Sequence, residues 1–98
     1  MSNFLVDDSA FKSTVILSKN CQKLTKLTIE LKVNIISCYK NYLTELELHE
    51  GIRMVDCRWN FITELKLPKT VTYVECDLLN MINFNFNLNN NLKIIMYL

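Results

Sequence analysis

Apolar and polar positions recur along the chain with a step of nineteen residues. Leu24, Leu43, Ile62 and Met81 form one series, Leu27, Leu46, Leu65 and Phe84 a second, and Ile29, Leu48, Leu67 and Phe86 a third. All twelve positions are apolar. With half of the composition apolar, chance yields this about once in four thousand trials, so the step is a structural period. A further set of series, Val33–Ile52–Val71, Ile36–Val55–Val74 and Cys38–Cys57–Cys76, runs through the other half of each unit. The second segment of a unit, Leu43-Thr-Glu-Leu46-Glu-Leu48, ends in strict alternation. That periodicity predicts a strand, and nineteen residues hold two short strands and two turns but no helix of about ten residues. Each winding then adds one strand to each of two parallel sheets, with neighbours about 4.8 Å apart. The expected fold is mainly β: a short solenoid of about four to five turns, two parallel sheets and no long helices.

The first segment of a unit is seen most clearly in Ile52-Arg-Met-Val55-Asp-Cys57-Arg-Trp-Asn60-Phe-Ile62 and in the unit ending at Leu43. Its pattern, apolar-x-x-apolar-x-Cys-x-x-Asn-x-apolar, resembles the leucine-rich-repeat signature with Cys in the place often held by Leu. The nineteen-residue step is similar to the shortest class of that family, as in bacterial secreted effectors and gene families of large DNA viruses. The resemblance covers residues 14 to 98 and implies a short leucine-rich-repeat solenoid in which Asn41 and Asn60 stack and bond backbone. Its outer units depart from the pattern. Lys19 and Gln22 occupy the Cys and Asn places of the first unit, and Leu79 the Asn place of the unit from Val71. The last unit starts at Leu92, which implies about two residues inserted near Asn87 to Asn91. Degenerate ends suit a solenoid, whose outer rungs meet no further rung. The chain is thus expected to be a single domain over 1–98, with an N-terminal cap in 1–13, repeats in 14–91 and a terminal strand in 92–98.

Composition narrows the chemistry. Eleven basic and ten acidic residues leave a net charge of +1, too near neutral for general attraction to nucleic acid. No apolar run approaches the roughly twenty residues of a bilayer span, and Asp7 and Asp8 stand where a signal peptide needs a basic and then an apolar segment. An intracellular, cytoplasmic protein without a membrane partner is expected, its four Cys reduced. One thiol per strand does not converge on a tetrahedral metal, so Cys38, Cys57 and Cys76 read as small buried hydrophobes. Cys21 falls outside that series, near a turn and more exposed. Thr25, Thr44 and Thr63 read as a cross-rung hydroxyl ladder, and His49 as a turn residue beside Glu50 and Gly51. With no nucleophile signature, carboxylate pair or phosphate loop, neither an enzyme nor a cofactor is expected.

Alternation also assigns the outward positions. On the first sheet they are Ile35, Met54, Tyr73 and Ile94; Ser37, Asp56, Glu75 and Met96; Tyr39, Arg58 and Asp77; and Lys40, Trp59 and Leu78. On the second they are polar throughout, including Lys26, Glu45, Glu64, Thr28, Glu47 and Lys66. Exposed aromatics, Met and Arg beside a few charges are the composition of a protein-binding face. The function expected is a non-catalytic protein–protein interaction module. It binds a protein partner through Ile35, Met54, Tyr73, Tyr39, Arg58, Trp59, Asp56 and Glu75. The alternative is a homo-oligomeric, for instance homodimeric, protein that assembles through Ile94, Met96 and Leu98 of an unblunted terminal strand. Single-stranded RNA, stacked on Tyr39, Trp59 and Tyr73, ranks below both, because Asp56, Glu75 and Asp77 share that face.

Overall fold

The computed structural model describes residues 14–77, 83–85 and 91–98, the backbone alone within 83–85. The expected cap in 1–13 and the repeat positions Leu78, Leu79, Met81 and Phe86 lie outside the described residues. The strands are β1 (Ile16–Ser18), β2 (Ile35–Ser37), β3 (Met54–Asp56), β4 (Glu64–Lys66), β5 (Tyr73–Asp77), β6 (Asn83–Asn85) and β7 (Lys93–Tyr97). Five of them form one parallel sheet in the order β1-β2-β3-β5-β7, and β4 pairs β6 in a second. No helix occurs among the described residues. The protein is mainly β and winds as a solenoid of about four turns.

One winding is one sequence repeat. Ile16 pairs Ile35, Ile35 pairs Met54, Met54 pairs Tyr73, and Glu64 pairs Asn83, nineteen residues apart each time. Repeat positions therefore become neighbours, and the inward ones stack into a single core. Ile36, Val55 and Val74 are buried above one another, as are Cys38, Cys57 and Cys76, Leu43 and Ile62, and Leu46 and Leu65. Two polar side chains, Asn41 and Asn60, are buried with them.

Turns recur at the same period. The amides of Val33, Ile52 and Val71 donate to the carbonyls of Glu30, His49 and Pro68 at 3.0, 3.3 and 3.1 Å. Gly51, at φ 107°, occupies the middle turn in a region that favours glycine. Its amide donates to Thr70 Oγ1 of the next winding at 2.9 Å, and the Thr70 hydroxyl donates to the Ile52 carbonyl at 2.7 Å.

Four expectations need correction. The second sheet is small: residues 24–29 and 43–48 keep their inward leucines but carry no strand. A cleft of about 410 Å³ lined by Glu45, Leu48, Glu64 and Lys66 opens beside Leu46. Glu45 and Glu64 share one repeat position, and like charges facing across a ladder oppose pairing. Thr25, Thr44 and Thr63 are exposed, and no hydrogen bond joins them among the described residues. The last winding contains one extra residue, not two: Tyr73 pairs Lys93 and Asp77 pairs Tyr97, a step of twenty. Because β4 and β6 still pair at nineteen, the addition lies between Asn85 and Lys93. The one-residue difference reverses the faces of β7. Ile94 and Met96, expected outward, face the core with Leu92 and pack against it, and the outward row is Lys93, Ile95 and Tyr97. The reason is chemical. This register directs three apolar side chains inward and leaves the lysine amine and the tyrosine hydroxyl outside.

Candidate functional site

The outward sheet surface has three rows. In the first, Ile16 and Met54 are exposed, and Ile35 and Tyr73 half-buried. The second holds Ser37, Asp56, Glu75 and Ile95, and the third Tyr39, Arg58, Asp77 and Tyr97. Arg58 sits at their centre. Its Nε and Nη2 donate to Asp56 Oδ1 and Oδ2, both at 2.9 Å. The guanidinium carbon lies 5.0 Å from the ring centre of Tyr39 and 4.8 Å from that of Tyr97. The Tyr97 hydroxyl donates to Glu75 Oε1 at 2.6 Å. The hydrogen bonds to Asp56 hold the Arg58 pKa above its ordinary value, and the bond to Glu75 raises that of Tyr97. Four of the expected partner-binding residues, Tyr39, Asp56, Arg58 and Glu75, are thus engaged with one another. They form a staple across β3, β5 and β7 and the segment that follows β2, in which Arg58 is charge-paired with Asp56 and Glu75 accepts the Tyr97 hydroxyl.

Trp59 leaves the sheet. It follows Arg58 at φ 59°, and Lys40 and Cys21, one and two windings earlier, share that left-handed conformation at φ 61° and 57°. A non-glycine residue holds such a conformation only where its surroundings dictate it, and here they do. Asp77 Oδ2 accepts the Trp59 amide at 2.6 Å and the Asn60 amide at 3.4 Å. Asn60 Nδ2 donates to the carbonyls of Cys38, Cys57 and Arg58 at 2.9, 3.2 and 3.2 Å, and its Oδ1 accepts the Leu43 amide at 3.0 Å. One winding earlier, Asn41 donates to the Lys19 and Cys38 carbonyls at 2.8 and 3.0 Å and accepts the amides of Gln22 and Leu24 at 3.0 Å. The stacked Asn residues satisfy turn backbone, as the resemblance implies, and make this corner rigid.

On that frame stand three large rings: Trp59 is 57% exposed, Phe61 54% and Tyr42 49%. Tyr42 and Phe61 stack with centres 6.1 Å apart and planes 7° from parallel. Trp59 lies 5.8 Å from Tyr39, with Lys40 Nζ 5.4 Å from its own ring centre. With Lys23, Asp77, Tyr97 and Leu98 they line an open, mostly apolar groove of about 600 Å³. The expected set therefore divides. Ile35, Met54 and Tyr73 lie on the sheet, Tyr39 joins the Arg58 staple and touches Trp59, and Trp59 belongs to the corner. Tyr42 and Phe61 were not expected there. Their signal is the same nineteen-residue step, an aromatic pair between each stacked Asn and the next core residue.

Elsewhere the chemistry is quiet. Cys38, Cys57 and Cys76 are buried and unbridged, whereas Cys21 is exposed and lines the groove. Burial first, then neighbouring Asp56, pushes the Cys38 thiol up to about 12. Burial and Asp77 push Cys76 to about 11, and burial raises Cys57 well above its ordinary value. Thiols held protonated are poor nucleophiles. His49 places Nδ1 2.7 Å from the Glu50 carbonyl oxygen and Nε2 3.0 Å from that of Glu30, bridging two windings. Among the described residues no three His, Cys, Asp or Glu side chains converge as metal ligands, and no helix is long and apolar enough to cross a membrane. Comparison with protein-family models, curated proteins and solved structures gives no match.

Proposed function

We propose that this chain is a non-catalytic protein-recognition module of leucine-rich-repeat type, acting in the cytoplasm. It binds its partner through the outward sheet row Ile35, Met54 and Tyr73 together with the corner of Tyr42, Trp59 and Phe61. One observation carries the reading: three neighbouring aromatic side chains stay about half exposed on a rigid, hydrogen-bonded frame. The opposite side, with Glu45, Glu47, Glu64 and Lys66, is charged and solvated. Contiguous exposed apolar surface marks interaction sites, and rigid aromatic anchors supply most interface energy. Five strands about 4.8 Å apart give a face roughly 20 Å long. Together with the corner, this approaches the about 800 Å² per partner of an ordinary specific interface. Arg58, closed into its staple, holds the face in shape, and partner contact falls to the apolar row and the corner rings.

The test is a Trp59→Ala, Phe61→Ala double variant in affinity capture from cells, followed by titration of whatever the parent chain captures. Each truncated anchor is worth about 1–2 kcal/mol or more, so the dissociation constant should rise at least tenfold. The far-UV spectrum and urea midpoint should hold, because both rings are exposed. Undiminished capture by the double variant would sink the reading.

A further inference from the structure

Along the solenoid axis the corner groove changes character. Lys23 stands on the winding of β1, Lys40 and Tyr42 on that of β2, and Trp59 and Phe61 on that of β3, with Tyr97 and Leu98 beyond. One end is cationic, and the other is aromatic and aliphatic with the Asp77 carboxylate on the Trp59 amide. Neither lysine takes part in an ion pair among the described residues. Of the neighbouring acids, Asp56 is paired with Arg58, whereas Asp77, bonded by the Trp59 amide, and Glu75, bonded by the Tyr97 hydroxyl, keep their negative charge toward the far end. The groove thus carries unpaired positive charge toward Lys23 and a carboxylate, Asp77, toward the opposite end.

From this polarity we infer that the groove receives an extended acidic–apolar peptide segment: one bulky apolar side chain with a carboxylate two or three residues away. The inference deepens the proposed protein-binding role and rests on it. The spacing follows from geometry. Two windings separate Phe61 from Lys23, about 9.6 Å at the usual inter-strand distance, and an extended peptide advances about 3.3 Å per residue. Three residues cover that distance directly. Two cover it with the reach of a lysine side chain, and also place both ligand side chains on one face. The apolar residue seats against Phe61 and Trp59, and the carboxylate meets Lys40 and Lys23. Two exposed charge pairs together are worth roughly tenfold in affinity, so the charges select and the aromatic rings hold.

Trp59 is the one tryptophan of the chain, and its fluorescence reports directly from the groove. The probe is acetyl-Ser-Glu-Glu-Ser-Phe-Leu-Ser-amide, which contains no fluorophore excited with tryptophan, set against the same peptide with both Glu replaced by Lys. At low ionic strength the acidic peptide should shift Trp59 emission to the blue and shield it from acrylamide. Its dissociation constant should lie at least tenfold below that of the lysine peptide, and a Lys23→Glu, Lys40→Glu double variant should reverse the order. Equal response to both peptides, or none at millimolar concentration, overturns the inference. So does tighter binding of an oligouridylate at the same salt, which would give the groove to single-stranded nucleic acid. Partner capture that depends on Trp59 and Phe61, with no response to the acidic peptide, sinks this inference alone. Capture that ignores those rings sinks the proposed function beneath it.

Discussion

Asn60 shows how one side chain supports a winding. Its amide serves three carbonyls and one amide, from its own winding and the one before, in a place where water does not reach. Replacing it with Ala leaves the Leu43 amide and the Cys57 carbonyl buried without that partner, while the Cys38 carbonyl keeps Asn41 Nδ2. At about 1–3 kcal/mol for each stranded group, Asn60→Ala should cost roughly 2–4 kcal/mol, read as a lower urea midpoint with unchanged slope. A loss near zero would mean that the turn is held by something else. The role of Asn41 and Asn60 is legible in the sequence because both obey the step. Asn20 and Asn34 perform similar service unannounced. Asn20 Oδ1 accepts the Tyr39 amide at 2.7 Å and the Ser37 hydroxyl at 2.9 Å, and Asn34 joins the Val15 amide to the Gly51 carbonyl. The residues one winding after them are Tyr39 and Arg53, so no series points to either.

At the scale of the strand, β7 is the informative element. Its neighbour β5 pairs with it over five residues, and its outward end is pinned by the Tyr97 hydroxyl on Glu75 and the Tyr97 ring on Arg58. Tyr97→Phe removes the hydrogen bond and keeps the ring. The expected cost is about 1 kcal/mol, concentrated where the bond acts: amide exchange in β7 should quicken while that of β2 and β3 holds. Unchanged protection in β7 would show that the hydroxyl does not secure the strand. Apolar periodicity alone leaves two registers for this strand, since Leu92, Ile94, Ile95 and Met96 supply apolar residues to either face. The choice rests on where Lys93 and Tyr97 can find solvent, Glu75 and Arg58, and those partners come from other windings.

The whole molecule stacks its Cys column through three windings, and that column couples stability to pH. In the folded chain Cys38 is pushed up to about 12 and Cys76 to about 11, both from an ordinary 9.0, and Cys57 is raised well above it. Raised folded-state values mean that the native chain keeps protons the unfolded chain releases. Their contribution is therefore complete below about pH 9 and is lost as pH climbs toward 11 to 12. Tyr73 and Tyr97 are raised as well and act in the same direction. The urea midpoint should hold from pH 7 to about 9 and then fall, and Cys57→Ala, though less stable at neutral pH, should show a shallower fall. A thiol reagent at pH 8 should label Cys21 alone in the native protein and the other three only on unfolding. Prompt labelling of all four, or a midpoint indifferent to pH 11, would contradict the buried column.

Nineteen-residue repetition suffices for the solenoid, the inward columns, the stacked Asn and the buried thiols, because a regular winding turns sequence distance into spatial contact. Reading outward surfaces requires more. Alternation holds only while the chain stays extended, so it cannot follow Trp59 around a left-handed corner to Tyr42 and Phe61. Nor can it detect the one-residue shift that turns Ile94 and Met96 inward. Arg58 likewise looks free until Tyr97, thirty-nine residues later in the chain, closes over it. These outcomes depend on contacts between windings that no single repeat encodes, and the folded chain settles them by burying apolar atoms and pairing polar ones.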